Sequence, residues 1–161
     1  NKFYTVGNGL TIHPKDVNIS QKESPAAVFC RQQHTNFTAE TALRYEPRTQ
    51  KDLAGVVLLQ NERFNFVFGK TLRDGQPVVT LTKSEKEQSV IASAPLSADK
   101  DNQPLRLKIE GHGRYYDFYY AEGNAAWQTL ARGVDAVNLS TGKSGGFIGV
   151  CIGLYATCNN N

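Results

Sequence analysis

Short runs of apolar residues, most of them alternating with polar ones, recur along the chain between turn-forming residues. Examples are LAGVVLLQN, RFNFVFGKT and PLRLKIEG. One face of the last run carries Leu105, Leu107 and Ile109, and the opposite face carries Arg106 and Lys108. This period of two is typical of a strand that is buried on one face. Because no stretch keeps a 3.6-residue period for ten residues, the pattern predicts an all-β chain.

The turns between these runs indicate how the strands are connected. Asp74-Gly75 and Gly123-Asn124 are dipeptides suited to tight hairpin turns. With about eleven short strands, the favoured arrangement is two antiparallel sheets packed face to face, and a closed barrel is the alternative. At 161 residues the chain is expected to form a single domain over residues 1–161.

The last apolar run, GGFIGVCIGLYAT, predicts a core strand. Its apolar face consists of Ile148, Val150, Ile152 and Leu154. Gly149 and Gly153 lie on the other face, where the missing side chains allow a ring or a backbone to come close.

The segment before this run, TGKS at residues 141–144, is similar to the end of a phosphate-binding loop. That loop needs a glycine five positions before Gly142, where this chain has Val137. It also needs a helix to follow, and a strand is predicted instead. A nucleotide site is therefore not expected.

Charge and hydropathy exclude two classes of partner. The net charge is +3, and the basic residues are interspersed with acidic ones, so nucleic acid is not an expected partner. No apolar run approaches the ~20 residues needed to cross a bilayer, so no membrane association is expected. The chain begins at Asn1 and contains no methionine, which predicts a processed product or a piece of a longer protein.

The cysteines and histidines give little support for a metal. Cys30, Cys151 and Cys158 lack zinc-type spacing and are interpreted as small buried hydrophobic residues, with a disulfide as the alternative. The histidines, residues 13, 34 and 112, are scattered. Residues 99–102, DKDN, lack the glycine and distal glutamate of a calcium loop. No cofactor is expected, and a structural calcium ion has no supporting motif.

Carboxylates that might form a glycosidase pair are Glu40, Glu46, Glu110, Asp117 and Glu122, but sequence spacing cannot pair them on a β fold. Asp117 alternates away from its aromatic neighbours and is interpreted as a solvent-facing strand residue. The aromatic residues that cluster nearby are Tyr115, Tyr116, Phe118, Tyr119, Tyr120 and Trp127. One interpretation is that these rings form a sugar-stacking surface. The alternative is that about half of them fill the core, as alternation on a half-buried strand requires.

Four segments, in order SPAAVFCRQQHTNFTAET, AGVVLLQNERFNFVF, LRLKIEGHGRYYDFYYAEGNAAW and GGFIGVCIGLYAT, resemble the C-terminal domain of family 43 glycoside hydrolases. The resemblance runs from about Gly9 to Thr157 and implies a concanavalin A-like jelly-roll sandwich. In that family, of β-xylosidases and α-L-arabinofuranosidases, a separate five-bladed propeller carries the catalytic carboxylates. The resemblance therefore implies that this chain alone has no catalytic residues.

The same resemblance places residues 31–37 against the propeller. Thr35 stands where the family commonly has an aromatic ring, and Cys30 stands where it often has arginine. Arg31, Gln33 and His34 are the implied candidates for contacts to the propeller or to sugar. A buried structural role for Arg31 and Gln33 is the alternative.

Two functions remain open from the sequence. The first is a non-catalytic accessory domain of an enzyme acting on xylan- or arabinan-type plant polysaccharide, with its own N-terminal catalytic domain as partner. The second is an autonomous lectin-like module that binds xylo- or arabino-oligosaccharide directly. A bacterial periplasmic or secreted location is expected, although no signal segment is visible.

Overall fold

The computed structural model describes residues 3–32, 34–97, 103–140 and 149–160. Within these ranges the chain forms twelve strands and a short 3₁₀ helix. The strands are β1 (Tyr4–Gly7), β2 (Gly9–Ile12), β3 (Ala26–Arg31), β4 (Asn36–Leu43), β5 (Leu53–Asn61), β6 (Phe64–Arg73), β7 (Gln76–Glu85), β8 (Glu87–Pro95), β9 (Leu105–His112), β10 (Tyr115–Glu122), β11 (Gln128–Asp135) and β12 (Cys151–Thr157). The 3₁₀ helix spans Val137–Leu139.

The strands form two large antiparallel sheets and a small hairpin. The six-stranded sheet has the order β3-β12-β5-β6-β7-β8, the four-stranded sheet has the order β11-β10-β9-β4, and β1 pairs with β2. Each large sheet ends in two edge strands. The predicted β-sandwich is therefore confirmed, and the barrel alternative is wrong.

The main core lies between the two large sheets. The six-stranded sheet contributes Val56, Leu58, Phe66, Phe68, Val79 and Leu81, and the four-stranded sheet contributes Leu105, Leu107, Ile109, Tyr116, Phe118 and Tyr120. The Phe118 ring packs edge-on against Phe68, with ring centroids 5.3 Å apart. The inward face predicted for β9 is confirmed. Burial of these apolar side chains is the principal stabilising contribution to the sandwich.

A second, smaller core covers the outer face of the six-stranded sheet. It consists of Ile19, Leu53, Val57, Val67 and Tyr155. The backbone N–H of Ile19 donates to the Tyr155 hydroxyl at 3.0 Å. This contact attaches the segment between β2 and β3 to β12, although the two residues are 136 positions apart.

The described apolar side chains in and just before β12 face the core as predicted. Val150, Ile152 and Leu154 pack against the main core and are half-buried. On the opposite face, a side chain at Gly153 would clash with the Phe29 ring, so the close approach of a ring predicted from this glycine is confirmed. Ile148 and the TGKS segment lie outside the described residues, as do residues 99–102 and Gln33.

The turns and cysteines test two further expectations. Asp74 and Gly75 both have positive φ values, of 51° and 75°, in the turn between β6 and β7, as predicted for this dipeptide. All three cysteines are free thiols, and Cys30 is exposed. The interpretation of the cysteines as buried residues is wrong for Cys30, which lies on edge strand β3, and Cys151 and Cys158 are only half-buried. The described residues include no helix with the length and apolar character needed to cross a bilayer.

Candidate functional site

At one end of the sandwich, the loop between β3 and β4 lies beside the turn between β9 and β10. The backbone N–H of Gly113, in that turn, donates to the Thr35 carbonyl at 3.0 Å and to Oδ1 of Asn36 at 3.1 Å. Gly113 has a φ of 64°, a conformation that favours glycine. The two connections therefore lie side by side, and we call this surface the loop end. It consists of Arg31 at the end of β3, residues 32, 34 and 35, and the turn residues 113 and 114.

Gln32 attaches the loop end to the core. Its backbone N–H donates to the Val150 carbonyl at 2.8 Å, and its side-chain Nε2 donates to the His34 carbonyl at 2.6 Å. The Tyr116 hydroxyl donates to Oε1 of Gln32 at 3.4 Å. Burial raises the pKa of Tyr116, the main effect, although its hydrogen bond to Gln32 acts in the opposite direction. The hydroxyl therefore remains protonated at neutral pH.

Two of the three predicted contact residues lie on the loop end. Arg31 is the last residue of β3 and is exposed, and its Nε lies 3.3 Å from the position that a Cβ on Gly149 would take. His34 is also exposed. The alternative of a buried structural role for Arg31 is therefore wrong, while Gln33 lies outside the described residues. Sequence reasoning missed Gln32, whose role depends on where β3 ends.

An ion pair flanks the turn of the loop end. Nε of Arg114 donates to Oδ1 of Asp135 at 3.0 Å, and the backbone N–H of Val137 donates to the same oxygen at 2.9 Å. The hydrogen bond from Arg114, followed by that from Val137, lowers the pKa of Asp135 below 3.8. The guanidinium also lies 5.5 Å from the centroid of the Tyr115 ring. These contacts link β10, β11 and the 3₁₀ helix.

Beside the loop end, the outer face of the four-stranded sheet carries Glu110, His112 and Asp117. Glu110 and Asp117 are cross-strand partners on β9 and β10. Nε2 of His112 lies 3.8 Å from Oε2 of Glu110 and 3.6 Å from Oδ2 of Asp117. The structure thus brings together two of the five candidate carboxylates and one of the scattered histidines.

Asp117 lies on the predicted face but is only 8% exposed, so its interpretation as a solvent-facing residue is wrong. The pairing of β10 with β11 is irregular around Phe118. At this irregularity Gly133, with a φ of 62°, donates its backbone N–H to Oδ1 of Asp117 at 2.7 Å. The bulge therefore covers the carboxylate and fixes its orientation.

The clustered aromatic rings divide between the core and the outer face. Tyr116, Phe118 and Tyr120 are buried in the core, as expected for about half of them. On the outer face, the Lys108 ammonium lies 4.9 Å from the Tyr119 ring centroid and 4.6 Å from that of Trp127. The Arg106 guanidinium also lies 4.6 Å from the Trp127 ring centroid. The outer-face rings therefore already have cation partners.

A groove of about 740 Å³ lies at the other end of the sandwich. It is lined by the β1–β2 hairpin, by residues 41–45 and by residues 154–156, among others. The described residues that line it include no carboxylate and no histidine. The groove is thus separate from the loop end and from the candidate residues.

Comparison with known proteins identifies the family. Residues 2–161 match the model of the beta xylosidase C-terminal concanavalin A-like domain. The chain belongs to this family. The expected concanavalin A-like fold is therefore confirmed, as is the resemblance to the C-terminal domain of family 43 glycoside hydrolases.

Relatives of this concanavalin A-like domain are much longer proteins. The chain is 28% identical over 145 residues to the non-reducing end alpha-L-arabinofuranosidase BoGH43B of Bacteroides ovatus, a match that covers 89% of the chain and 26% of that protein. It is 26% identical over 148 residues to a xylosidase/arabinosidase of Butyrivibrio fibrisolvens, covering 88% of the chain and 26% of that protein. The chain therefore spans about a quarter of each relative.

A solved structure has the same fold. The crystal structure of a GH43_12 protein retrieved from a capybara gut metagenome superposes with a TM-score of 0.85 at 29% identity, covering 96% of this chain and 30% of that one. The concanavalin A-like domain described here is thus an accessory C-terminal domain of the kind found in family 43 enzymes.

Proposed function

We propose that this concanavalin A-like domain packs against the catalytic domain of a longer family 43 glycoside hydrolase through its loop end, and shapes access of xylan- or arabinan-type substrates to the active site. The domain itself takes no part in bond cleavage. The observation that carries the proposal is the exposure of Arg31, at the end of β3, and of His34, in the loop that follows. Gln32, between them, fixes this segment to the core.

The surface next to this loop is suited to an interdomain contact. Edge strand β3 leads directly into the loop and exposes the apolar side chains of Val28 and Phe29, at 36% and 37%. Apolar side chains beside charged and polar ones are typical of contacts between domains of one chain. The loop is also held by hydrogen bonds from Gln32 and Gly113, so docking would order few additional residues.

The contacts of the Glu110–Asp117 pair support a non-catalytic role. A glycosidase needs a free acid and a free base or nucleophile on either side of a bound sugar. In the Glu110–Asp117 pair, Nζ of Lys108 lies 3.6 Å from Oε1 of Glu110. The backbone N–H of Gly133 donates a hydrogen bond to Oδ1 of Asp117. This pair also lies on the face of a sheet, away from the groove described above.

The test uses the longer enzyme that we propose contains this chain. We expect His34→Ala to lower kcat/KM on aryl xylosides or arabinofuranosides several-fold, which corresponds to about 1 kcal/mol of transition-state stabilisation. His13→Ala is the matched control, because His13 is an exposed histidine that follows β2 beside the groove. It should leave kcat/KM unchanged.

Two measurements on the 161-residue chain complete the test. We expect it neither to hydrolyse aryl glycosides nor to bind xylo-oligosaccharides. Unchanged kinetics of His34→Ala in the enzyme would contradict the proposed contact. Tight sugar binding by the chain that depends on His34 would support the lectin-like alternative instead.

A further inference from the structure

The cluster of Glu110, His112 and Asp117 has no role in the proposed interdomain contact. Glu110 and His112 are two residues apart on β9 and therefore point to the same face of the sheet. Asp117 joins them because it pairs with Glu110 across the strands. All three side chains thus project from paired strands, which hold their Cα atoms in fixed positions.

The spacing of the three groups is close to that of metal ligands. Their nearest nitrogen and oxygen atoms all lie within 4.8 Å of one another, and the two contacts of His112 are 3.6 and 3.8 Å. Bond lengths of about 2.0–2.2 Å at tetrahedral angles place ligand atoms about 3.3–3.6 Å apart. Rotation of the Glu110 and His112 side chains, which are 30% and 61% exposed, would bring the ligand atoms to that spacing.

Oδ2 of Asp117 belongs to a buried residue and has only long contacts. Its neighbours are the Tyr119 hydroxyl at 3.4 Å, Nε2 of His112 at 3.6 Å and Nε of Arg132 at 4.0 Å. All three distances exceed the 2.7–3.0 Å usual for hydrogen bonds to a carboxylate. The other oxygen is fixed by Gly133 at 2.7 Å, the kind of supporting contact that orients a ligand to a metal.

Glu110 and Asp117 bring two negative charges together, which Lys108 and Arg132 partly compensate. Glu110 and Asp117 are like charges directly opposite each other on neighbouring strands, an arrangement that is destabilising without compensation. Lys108 approaches the far oxygen of Glu110, Oε1, and leaves Oε2 facing His112. Arg132 competes for Asp117, but its side chain is 69% exposed and is free to turn into solvent.

We propose that Glu110, His112 and Asp117 bind one divalent transition-metal ion, Zn²⁺ being the best match. One imidazole nitrogen with two carboxylate oxygens is a ligand set that zinc accepts, with water in the fourth position. Calcium takes six to eight oxygen ligands, which this cluster does not supply. Because Lys108 and Arg132 compete for the two carboxylates, we expect the affinity to be moderate.

The experiment is a zinc titration of the 161-residue chain by calorimetry, after its three thiols have been alkylated. Alkylation removes the cysteine sulfurs, which also bind zinc. We expect one Zn²⁺ per chain, little heat from Ca²⁺, and a higher thermal midpoint in the presence of zinc.

Four variants assign the ligands. His112→Ala and Asp117→Asn should weaken zinc binding at least tenfold, and Asn retains an oxygen for the Gly133 N–H so that the bulge can form. His13→Ala and Glu87→Gln are matched controls at exposed positions outside the cluster, and both should bind within twofold of the parent chain. Far-ultraviolet circular dichroism verifies folding of each variant.

Two results would overturn the proposal. The first is no zinc binding by the folded, alkylated chain. The second is binding that persists unchanged in His112→Ala and Asp117→Asn. Neither depends on the outcome for the interdomain contact, because the titration uses this chain alone.

Discussion

The hydrogen bond between Ile19 and Tyr155 predicts a specific loss of stability in Tyr155→Phe. Tyr155 is 3% exposed and Ile19 is 7% exposed, so the substitution leaves a buried backbone N–H without its acceptor. The phenyl ring retains the packing of the second core. The change therefore isolates the hydroxyl, and a buried donor left unsatisfied costs about 1–3 kcal/mol.

Protonation does not complicate this comparison at neutral pH. Burial, the main effect, raises the pKa of Tyr155 above 10.0, although its hydrogen bonds to Thr157 and Ile19 act in the opposite direction. The hydroxyl is therefore neutral at pH 7 in both the folded and the unfolded chain. The lost free energy then reports on the hydrogen bonds of the hydroxyl, to Ile19 and to Thr157.

The assay is urea unfolding followed by circular dichroism. Taking a loss of about 2 kcal/mol and a slope of about 2 kcal/mol per M, the midpoint should fall by about 1 M. Tyr115→Phe is the control, because Tyr115 is 48% exposed and its loss should change stability by less than ~0.5 kcal/mol. Equal midpoints for the two variants would refute the idea that this contact attaches the segment between β2 and β3.

Two further substitutions test the packing of β12 and the ion pair at the loop end. Ile152→Ala removes a half-buried side chain that packs on the main core, and it should lower the free energy of unfolding by about 2 kcal/mol. The control is Arg73→Ala at an exposed position, which should lower it by less than ~0.5 kcal/mol in the same urea assay. Similar losses would mean that Ile152 does not face the core. Asp135→Asn should lower the urea midpoint at pH 7. The pKa of Asp135 is lowered in the folded chain, so its carboxylate stabilises the fold only while it is ionised. The difference from the parent chain should therefore disappear as the pH falls below 3.8. A difference that persists in strong acid would argue against the ion pair as its cause.

The sandwich could be predicted because alternation is a local property of the chain. The inward faces of β9 and β12 follow from which residues are two apart. The order of strands in a sheet is a long-range property, so the position of β3 at an edge had no sequence signal. The sequence therefore predicts a buried Cys30, whereas the structure exposes it at the edge of the sheet.

The cluster of Glu110, His112 and Asp117 has a partial signal in the sequence, which the scattered positions of the histidines conceal. If Gly113-Arg114 is taken as a two-residue hairpin turn, Glu110 must pair with Asp117, and His112 lies two residues from Glu110 on the same face. The burial of Asp117 could not be found this way, because it depends on the irregular pairing of β10 with β11. The loop end was located only through the family resemblance.

The position of β12 has a consequence for how the chain reaches its fold. Strands β5 to β8 form a meander of neighbouring hairpins, whereas β12 lies between β3 and β5 and joins them into one sheet. During synthesis, β3 therefore has no partner in the six-stranded sheet until residues 151–157 have left the ribosome. The meander can form early, whereas β12 must pair with β3 and β5, which are far from it in sequence. Pairing of strands that are distant in sequence is typically slow in folding. Until then, the apolar edge of β3 is a surface for chaperones to cover.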